Sequence, residues 1–597
     1  MPLSVRLIFC PLLWGCAEWR SLSIFRDSIT LDTGARKRLS RSQESQRRHI
    51  FIIECAKNIR EVLTVNGAAL SLVMAGSMSV SRMRHCVCMI STKIHTSCII
   101  WFGCSVIFPS DNVCTAFLRN GCRIITMTSP YRSSNMRIQS GAPKSHDEVL
   151  ALYGSAIADA GLPAALLEHA KDHAPVLLPT LGHLPQPWLV LIPAIDGLVQ
   201  LRRRAGVVAG LLRAQRLRRV ALDLGDLQAA AQEIFLAGMA QGSYRFDRYL
   251  PGPQEKPFRL RLRKAVPAAR GRVVTALVEA TAACRDLINT PARDCGPADM
   301  VTAAKALCKG TGLRVTVWDA ARLRKEGCEC IDTVGTAAGK GRGPRLLIID
   351  WPGGKGSGKP LALCGKGVCF DTGGLQIKPG KAMELMRKDM GGAATVLAAL
   401  LVHARSKSSR PVRAYIPLVE NAVAGDAFRP GDVLTAADGT TIEVGHTDAE
   451  GRLVLADALS VAYRDGARAL ITVATLTGAA MVALGRIHVP LMATDDALAQ
   501  DLQAAAASCG EKMWRLPLDD DHRALVRASR LATLTNSAGP EASCITAGAF
   551  LAHFAKDRPF AHLDISPASW KDSPHDLGPV GATGVMVDTL ARYLAAS

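Results

Sequence analysis

Two acids and a guanidinium crowd into one short stretch, His446-Thr447-Asp448-Ala449-Glu450-Gly451-Arg452-Leu453. Leu453, Ala456, Leu459 and Ala462 then recur at helical spacing, so the acids sit where a loop feeds a helix, near its positive end. That position suits a cation site or a charged intermediate better than a plain core. A second stretch offers complementary groups: Gly365-Lys366-Gly367-Val368-Cys369-Phe370-Asp371-Thr372-Gly373-Gly374, followed by Lys378 and Asp389. Asp371 follows an apolar run and Asp389 lies between Met386 and Met390, so both are expected to be buried. Buried carboxylates cost several kcal/mol unless paired or coordinated. Asp371, Asp389, Asp448 and Glu450 outnumber Lys366, Lys378 and Arg452, and two divalent cations would relieve the repulsion. Carboxylate oxygens suit zinc, manganese or magnesium, whereas a structural zinc site would use Cys and His.

The elements that must hold these groups follow from the apolar pattern. Arg345 to Trp351, Leu361 to Phe370, Pro411 to Val419, Ala469 to Thr475 and Phe560 to Ile565 read as strands. Helices are expected at 272–287, 393–405, 451–463 and 497–507. Apolar strands separated by helices indicate an α/β fold, with a central mixed, largely parallel sheet flanked by helices. In such sheets ligands bind outside the carboxyl ends of the strands, which is where Lys366 and Asp371 fall. Before this larger domain, 145–251 reads as a small α/β unit. Its expected helices are 148–160, 164–170, 206–219 and 227–239, and its strands 188–193 and 220–222; it shows no catalytic cluster. The predicted organisation is therefore 1–140 as an extension outside the folded enzyme, 141–268 as a small N-terminal α/β domain, and 269–597 as the larger domain carrying the site.

Residues 1–140 differ from the rest. They carry 18 Lys and Arg against 7 Asp and Glu, hold half of the 18 cysteines, and show no sustained period. The run Leu3 to Ala17 is a poor secretory leader, because Cys10, Trp14 and Cys16 interrupt it. A start at Met127 or Met136 fits the change in composition. The net charge of +20 would suit nucleic acid, but much of it lies in this segment. The other basic concentration, seven arginines from Arg202 to Arg219, reads as the solvated face of an amphipathic helix. The remaining cysteines lack disulfide or zinc-ribbon spacing, which indicates thiols in a reducing, cytoplasmic compartment. No apolar run is long enough to span a bilayer. Gly353-Gly354-Lys355-Gly356-Ser357-Gly358-Lys359 imitates a phosphate loop, but Pro360 stands where a Ser or Thr should hold magnesium, and a strand follows instead of a helix. It is expected to be a glycine turn.

The stretch His446 to Leu453 resembles the Asn-Thr-Asp-Ala-Glu-Gly-Arg-Leu signature of the leucyl aminopeptidase family, the two-metal cytosol aminopeptidases. Further segments resemble that family in order and spacing: Gly365-Lys366-Gly367, Phe370 to Gly374, Ile377-Lys378-Pro379, Met386 to Gly392, Arg429 to Leu434, Ala474 to Ala479 and His562-Leu563-Asp564-Ile565. The resemblance covers 270–595 well, 145–270 faintly and 1–140 not at all. It implies that Asp371 and Glu450 bridge two metal ions, that Lys366 and Asp389 complete the tighter site, and that Asp448 completes the more exchangeable one. It implies that Lys378 contacts the substrate carbonyl and that Arg452 holds a bicarbonate ion acting as general base. Met386, Thr475, Leu476 and Gly478 would border the pocket for the N-terminal residue. The implied activity is removal of N-terminal, leucine-like residues from short peptides, by a water bridging two metals, in a homohexamer. Exopeptidase behaviour follows from an anchored α-amine, which an internal peptide bond cannot offer.

This sequence departs from the family pattern in three places. His446 replaces asparagine beside the ligands, and is expected to be a partly buried, satisfied histidine. The stretch Asn536 to Cys544 has fewer glycines than usual, and Ser566-Pro567 stands where alanine-glycine is common. Both flank the expected substrate pocket. The rival reading is a DNA-binding or regulatory protein on this scaffold; no helix-turn-helix or arginine-aromatic groove supports it.

Overall fold

The computed structural model describes the strands Val62–Val65 and Ala68–Ser71 and, with breaks at 169–173, 252–256, 265–266 and 355–357, residues 136–596. Those first two strands pair antiparallel and belong to a separate unit, 1–124. The leader reading of Leu3 to Ala17 and most of the expected extension lie outside the described residues. The extension's last five residues do not: Met136–Ser140 is an edge strand of the first sheet, and Met136 is buried.

That sheet has six strands: β1 (Met136–Ser140), β2 (Val149–Tyr153), β3 (Val176–Pro179), β4 (Trp188–Ile192), β5 (Arg219–Asp223) and β6 (Phe258–Leu262). Their order is β1-β6-β5-β2-β4-β3, all parallel except the β3–β4 pair. Residues 149–153 were expected in a helix and form an inner strand. Val149, Ala151 and Tyr153 face helices α1 (Leu198–Ala214) and α2 (Ala229–Ser243), while Leu152 joins Ala156 and Ile157 on the other side. Burial on both faces of a sheet outweighs the helix propensity of Leu and Ala, which is high among residues but amounts to only a fraction of a kcal/mol each.

The arginine-rich stretch also departs from expectation. Arg202, on α1, is buried; it donates to Cys509 O at 2.7 Å and pairs with Asp588 at 3.2 Å. It therefore ties the first sheet's helix layer to the larger unit rather than facing solvent.

The larger sheet has nine strands. Its path is β16 (Met513–Arg515), β15 (Val489–Ala493), β18 (Phe560–Asp564), β14 (Ala469–Ala474), β9 (Leu361–Gly365), β11 (Val412–Asn421), β8 (Arg345–Trp351) and β7 (Arg314–Trp318). The ninth, β10 (Gly367–Asp371), pairs with β11 off this path. Strands β18, β14, β9, β11 and β10 run parallel, so their carboxyl ends share one edge. A small three-stranded sheet, β12 (Val433–Thr435), β13 (Thr441–Glu443) and β17 (Leu534–Thr535), stands beside it.

Period-two alternation divides the strands between two cores. Leu347, Ile349, Leu361, Leu363, Ile471 and Val473 pack under helices α3 (Ala268–Asn289), α4 (Gly391–Arg405), α6 (Asp496–Cys509) and α8 (Val587–Ala595). Leu346, Ile348, Ala362, Cys364 and Leu470 pack under α5 (Glu450–Arg464) and α7 (Ser543–His553). Helix α5 is buried from Glu450 to Ala462, so it is held as a core helix and its first turn cannot wander.

The single strand expected over 361–370 is two. The chain breaks at Lys366, whose N–H bonds Val473 O and whose carbonyl accepts from Ala393 N. This spends the residue's backbone groups on β14 and α4 and leaves its side chain free to turn toward the shared edge. The glycine-rich stretch 353–359 lies between β8 and β9 as a connection, with 355–357 outside the described residues.

Candidate active site

Along that carboxyl edge, Asp371 ends β10, Lys366 follows β9, Thr475 follows β14 and Asp564 ends β18. Asp389 lies in the 3-10 turn Met386–Met390 leading into α4, and Glu450 opens α5. The structure brings these separate segments into one cluster. Lys366 Nζ is 2.7 Å from Asp389 Oδ2 and 2.9 Å from Glu450 Oε1, and donates to Thr475 O. Lys378 Nζ is 2.8 Å from Asp371 Oδ2 and also pairs with Asp448. Lys366, Asp371, Asp389 and Glu450 are all buried. Gly451 is required by this packing: a Cβ there would lie 2.6 Å from Lys366 Cε. Gly373 turns at φ +88° so that its N–H can meet Asp371 Oδ1.

The other expected residues divide. Thr475 donates from Oγ1 to Asp389 Oδ1, so it positions a carboxylate as well as bordering the cluster. Met386 and Leu476 are half-buried, and open space surrounds the Cβ position of Gly478. Leu476 N and Thr477 N both donate to Asp564, which fixes this loop. Arg452 is buried and makes no ion pair among the described residues; its Nη1 donates to Asn536 O at 2.7 Å and its Nε has no partner. A plain structural salt bridge is therefore not its role.

His446 is half-buried, and its Nδ1 accepts from Asp448 N at 3.0 Å. The ring thus bonds the backbone two residues on, as an asparagine oxygen does in an Asx turn.

Two amides escaped the sequence reading. Asn421, at the end of β11, donates from Nδ2 to Asp371 Oδ1 and to Thr447 O. Asn536 accepts from Gly445 N and His446 N, and donates to His446 O and Ala449 O. It therefore clamps the loop that carries Asp448. An asparagine at a strand end was the only signal, and it is a weak one.

The electrostatics test whether these residues fit divalent cations. One oxygen each from Asp371, Asp389 and Glu450 lie within 4.8 Å of one another. Glu450 Oε2 is buried with no hydrogen-bond partner. Burial, then the charge of Asp371, pushes Glu450 up to about 8. Burial pushes Asp389 up to about 6, against the pull of Lys366. Asp448 is raised for the same reasons, burial and Asp371. Burial works to discharge Lys366, but Asp389, Glu450 and Asp371 outweigh it and hold it charged. Two lysines therefore do not neutralise four carboxylates, and the donor set is oxygen-rich and deficient in positive charge. That fits hard or borderline divalent cations.

Known proteins point the same way. The catalytic-domain profile of the cytosol aminopeptidase family matches residues 282–591. The chain belongs to that family. The "Probable cytosol aminopeptidase" of Solibacter usitatus is 41% identical over 66% of this chain and 82% of its own length. The crystal structure of the cytosol aminopeptidase from Coxiella burnetii superposes with a TM-score of 0.67 at 32% identity, covering 77% of this chain and 99% of that one. The bottromycin maturation enzyme BotP in complex with Mn gives 0.68 at 32%, covering 75% and 99%. This cytosol aminopeptidase family member is a metal-dependent hydrolase, an exopeptidase of the leucyl aminopeptidase type that acts on peptides. No helix among its described residues is long and apolar enough to cross a membrane.

Proposed function

We propose that this enzyme releases apolar, leucine-like N-terminal residues from short peptides, using two divalent metal ions held by Lys366, Asp371, Asp389, Asp448 and Glu450. The observation that carries the proposal is the meeting of those five side chains, from four separate segments, in one charge-deficient cluster. Asp371 and Glu450 each act electrostatically on both lysines and are the candidates to bridge both ions. Lys366 and Asp389 would complete the tighter site and Asp448, the most exposed of the acids, the more exchangeable one. Zinc or manganese fits these oxygens, with magnesium an option at the exchangeable position, and the Mn complex of BotP supports manganese. When bound, such ions supply Lewis acidity at the scissile carbonyl, a water of lowered pKa and an anchor for a free α-amine.

The chain's own groups do the rest. Lys378 keeps its charge, because Asp371, Glu450 and Asp448 outweigh its burial. It is the group to stabilise negative charge developing on the carbonyl oxygen. Arg452, with an unpartnered Nε, offers a fork to an oxyanion such as bicarbonate, which would accept the proton of the attacking water. Met386, Thr475, Leu476 and Gly478 would border the pocket for the N-terminal side chain; the half-buried Met386 and Leu476 and the open space beside Gly478 support that reading.

The proposal extends to a homohexamer, to 141–268, whose sheet also takes in the strand Met136–Ser140, and 269–597 as the two domains, and to the cytoplasm. Nine described cysteines are free and buried, which supports a reducing compartment. The deciding experiment is hydrolysis of leucyl-anilide beside lysyl- and glutamyl-anilide, before and after chelation and with manganese restored. Leucine preference lost with the metal and regained with manganese is the expected result. Activity that survives complete chelation would refute the metal mechanism, and a glutamyl preference would refute the pocket.

A further inference from the structure

A cavity of about 590 Å³ opens where α3, α6 and α8 meet the carboxyl end of α4. Its apolar wall includes Val273, Val274, Leu277, Ala504, Ala505 and Ala591, of which Val273 is exposed to water. Some of the charged groups on its rim are already spent: Arg592 pairs with Asp588 at 2.9 Å and with Glu233 at 3.7 Å. Two others are not. The carboxylate of Asp501, exposed on α6, makes no ion pair among the described residues. Arg410 meets no carboxylate: its Nη1 donates to Tyr593 O, its Cζ lies 5.1 Å from the centre of the Tyr593 ring, and its buried Nε has no partner. Asp501 and Arg410 act on each other electrostatically without pairing, which leaves a gap between opposite charges. His403 is buried and borders the same cavity. Its Nε2 faces Arg410 O at 2.9 Å; a carbonyl only accepts, so Nε2 carries the proton and the buried Nδ1 is an acceptor with no donor. None of the residues assigned to metal, substrate or proton transfer lines this cavity.

We propose that this cavity binds a free α-amino acid with an apolar side chain, its carboxylate on Arg410, its ammonium between Asp501 and His403 Nδ1, and its side chain against Val273, Leu277 and Ala505. A guanidinium edge with an unpartnered Nε suits a carboxylate, and Arg468 adds a second positive charge near it. An ammonium brings three donors, enough for the carboxylate of Asp501 and the orphaned imidazole nitrogen together. A simple anion or a simple cation would answer only one of the two unspent charges, whereas a zwitterion answers both. The volume lies in the range of small-molecule sites, and the apolar wall gives an aliphatic side chain something to cover. Helix α4 runs from this cavity to the 3-10 turn that carries Asp389, roughly 20 Å away, so the site is distinct from the catalytic cluster. The proposal rests on the cavity alone and stands or falls separately from the peptidase reading.

The test is equilibrium dialysis of the full-length, metal-loaded protein against isotopically labelled L-leucine at up to millimolar concentration, with Asp501→Asn and Arg410→Gln beside it. Whatever the active site retains, the wild type should hold one leucine per subunit more than either variant. Arg410→Gln also loses a bond to α8, so the exposed change Asp501→Asn is the decisive one, and its melting temperature and leucyl-anilide hydrolysis should match the wild type. N-acetyl-leucine lacks the ammonium, 3-methylbutylamine the carboxylate and glycine the side chain. Each should displace the extra leucine at least tenfold less effectively than unlabelled leucine does. Equal leucine counts in the wild type and Asp501→Asn would overturn the proposal, as would displacement by any of the three analogues on a par with leucine.

Discussion

His562 should make the protein's stability fall in mild acid by an amount that one substitution removes. It lies in β18 between Thr472 and Met492, fully buried, with Nδ1 2.8 Å from Thr472 Oγ1 and Nε2 without a partner. Burial lowers its pKa to about 4; Asp564 opposes this and Arg452 adds to it. The folded protein therefore keeps the imidazole neutral, while the unfolded chain protonates it near its ordinary 6.5. Because the folded pKa is the lower one, the stabilisation is present above pH 6.5 and is lost as pH falls toward 4. The full linkage is about 3 kcal/mol, of which about 2 kcal/mol disappears between pH 7.5 and pH 5. Urea unfolding of the wild-type protein and His562→Asn at those two pH values measures it. The variant should be less stable at pH 7.5 because it leaves a gap, yet lose about 2 kcal/mol less on acidification. Metal release and other histidines, including His575, affect both proteins and cancel in the difference. Parallel pH profiles for the two proteins would refute the reasoning.

Three other outcomes are expected. Gly451→Ala should push Lys366 out of the cluster, so metal content by elemental analysis falls sharply while far-UV circular dichroism is unchanged. Asn536→Ala removes four hydrogen bonds to the Asp448 loop and should cost about 2–3 kcal/mol in melting stability, with kcat/KM down at least tenfold. Arg202→Met leaves buried Glu511 without a guanidinium and Asp588 with Arg592 alone, and should destabilise by about 3 kcal/mol in chemical denaturation, unless a second change neutralises Glu511.

The candidate site was legible because its chemistry restricts residue type. Carboxylates at Asp371, Asp389, Asp448 and Glu450, set among apolar neighbours, admit few innocent explanations. The large sheet was legible for a similar reason, since runs such as Arg345 to Trp351 alternate between two cores. What the sequence hid depends on partners distant in the chain. Residues 149–153 could be helix or strand until β4 and β5 flanked them, and Arg202 read as solvated until Asp588 was found beside it. The break at Lys366 was invisible because backbone hydrogen bonds to Val473 and Ala393 create it. Asn421 and Asn536 were missed because an amide bonding to main-chain atoms leaves no complementary side chain to notice.

Position 446 shows what a signature letter stands for. The loop before α5 holds an unshared electron pair over the peptide of Asp448, and the imidazole of His446 provides it; the asparagine of the family signature carries an amide oxygen able to make the same bond. Two unlike side chains thus satisfy one geometric demand. Patterns spelled in residue names will reject such exchanges, whereas patterns spelled in acceptor positions will keep them.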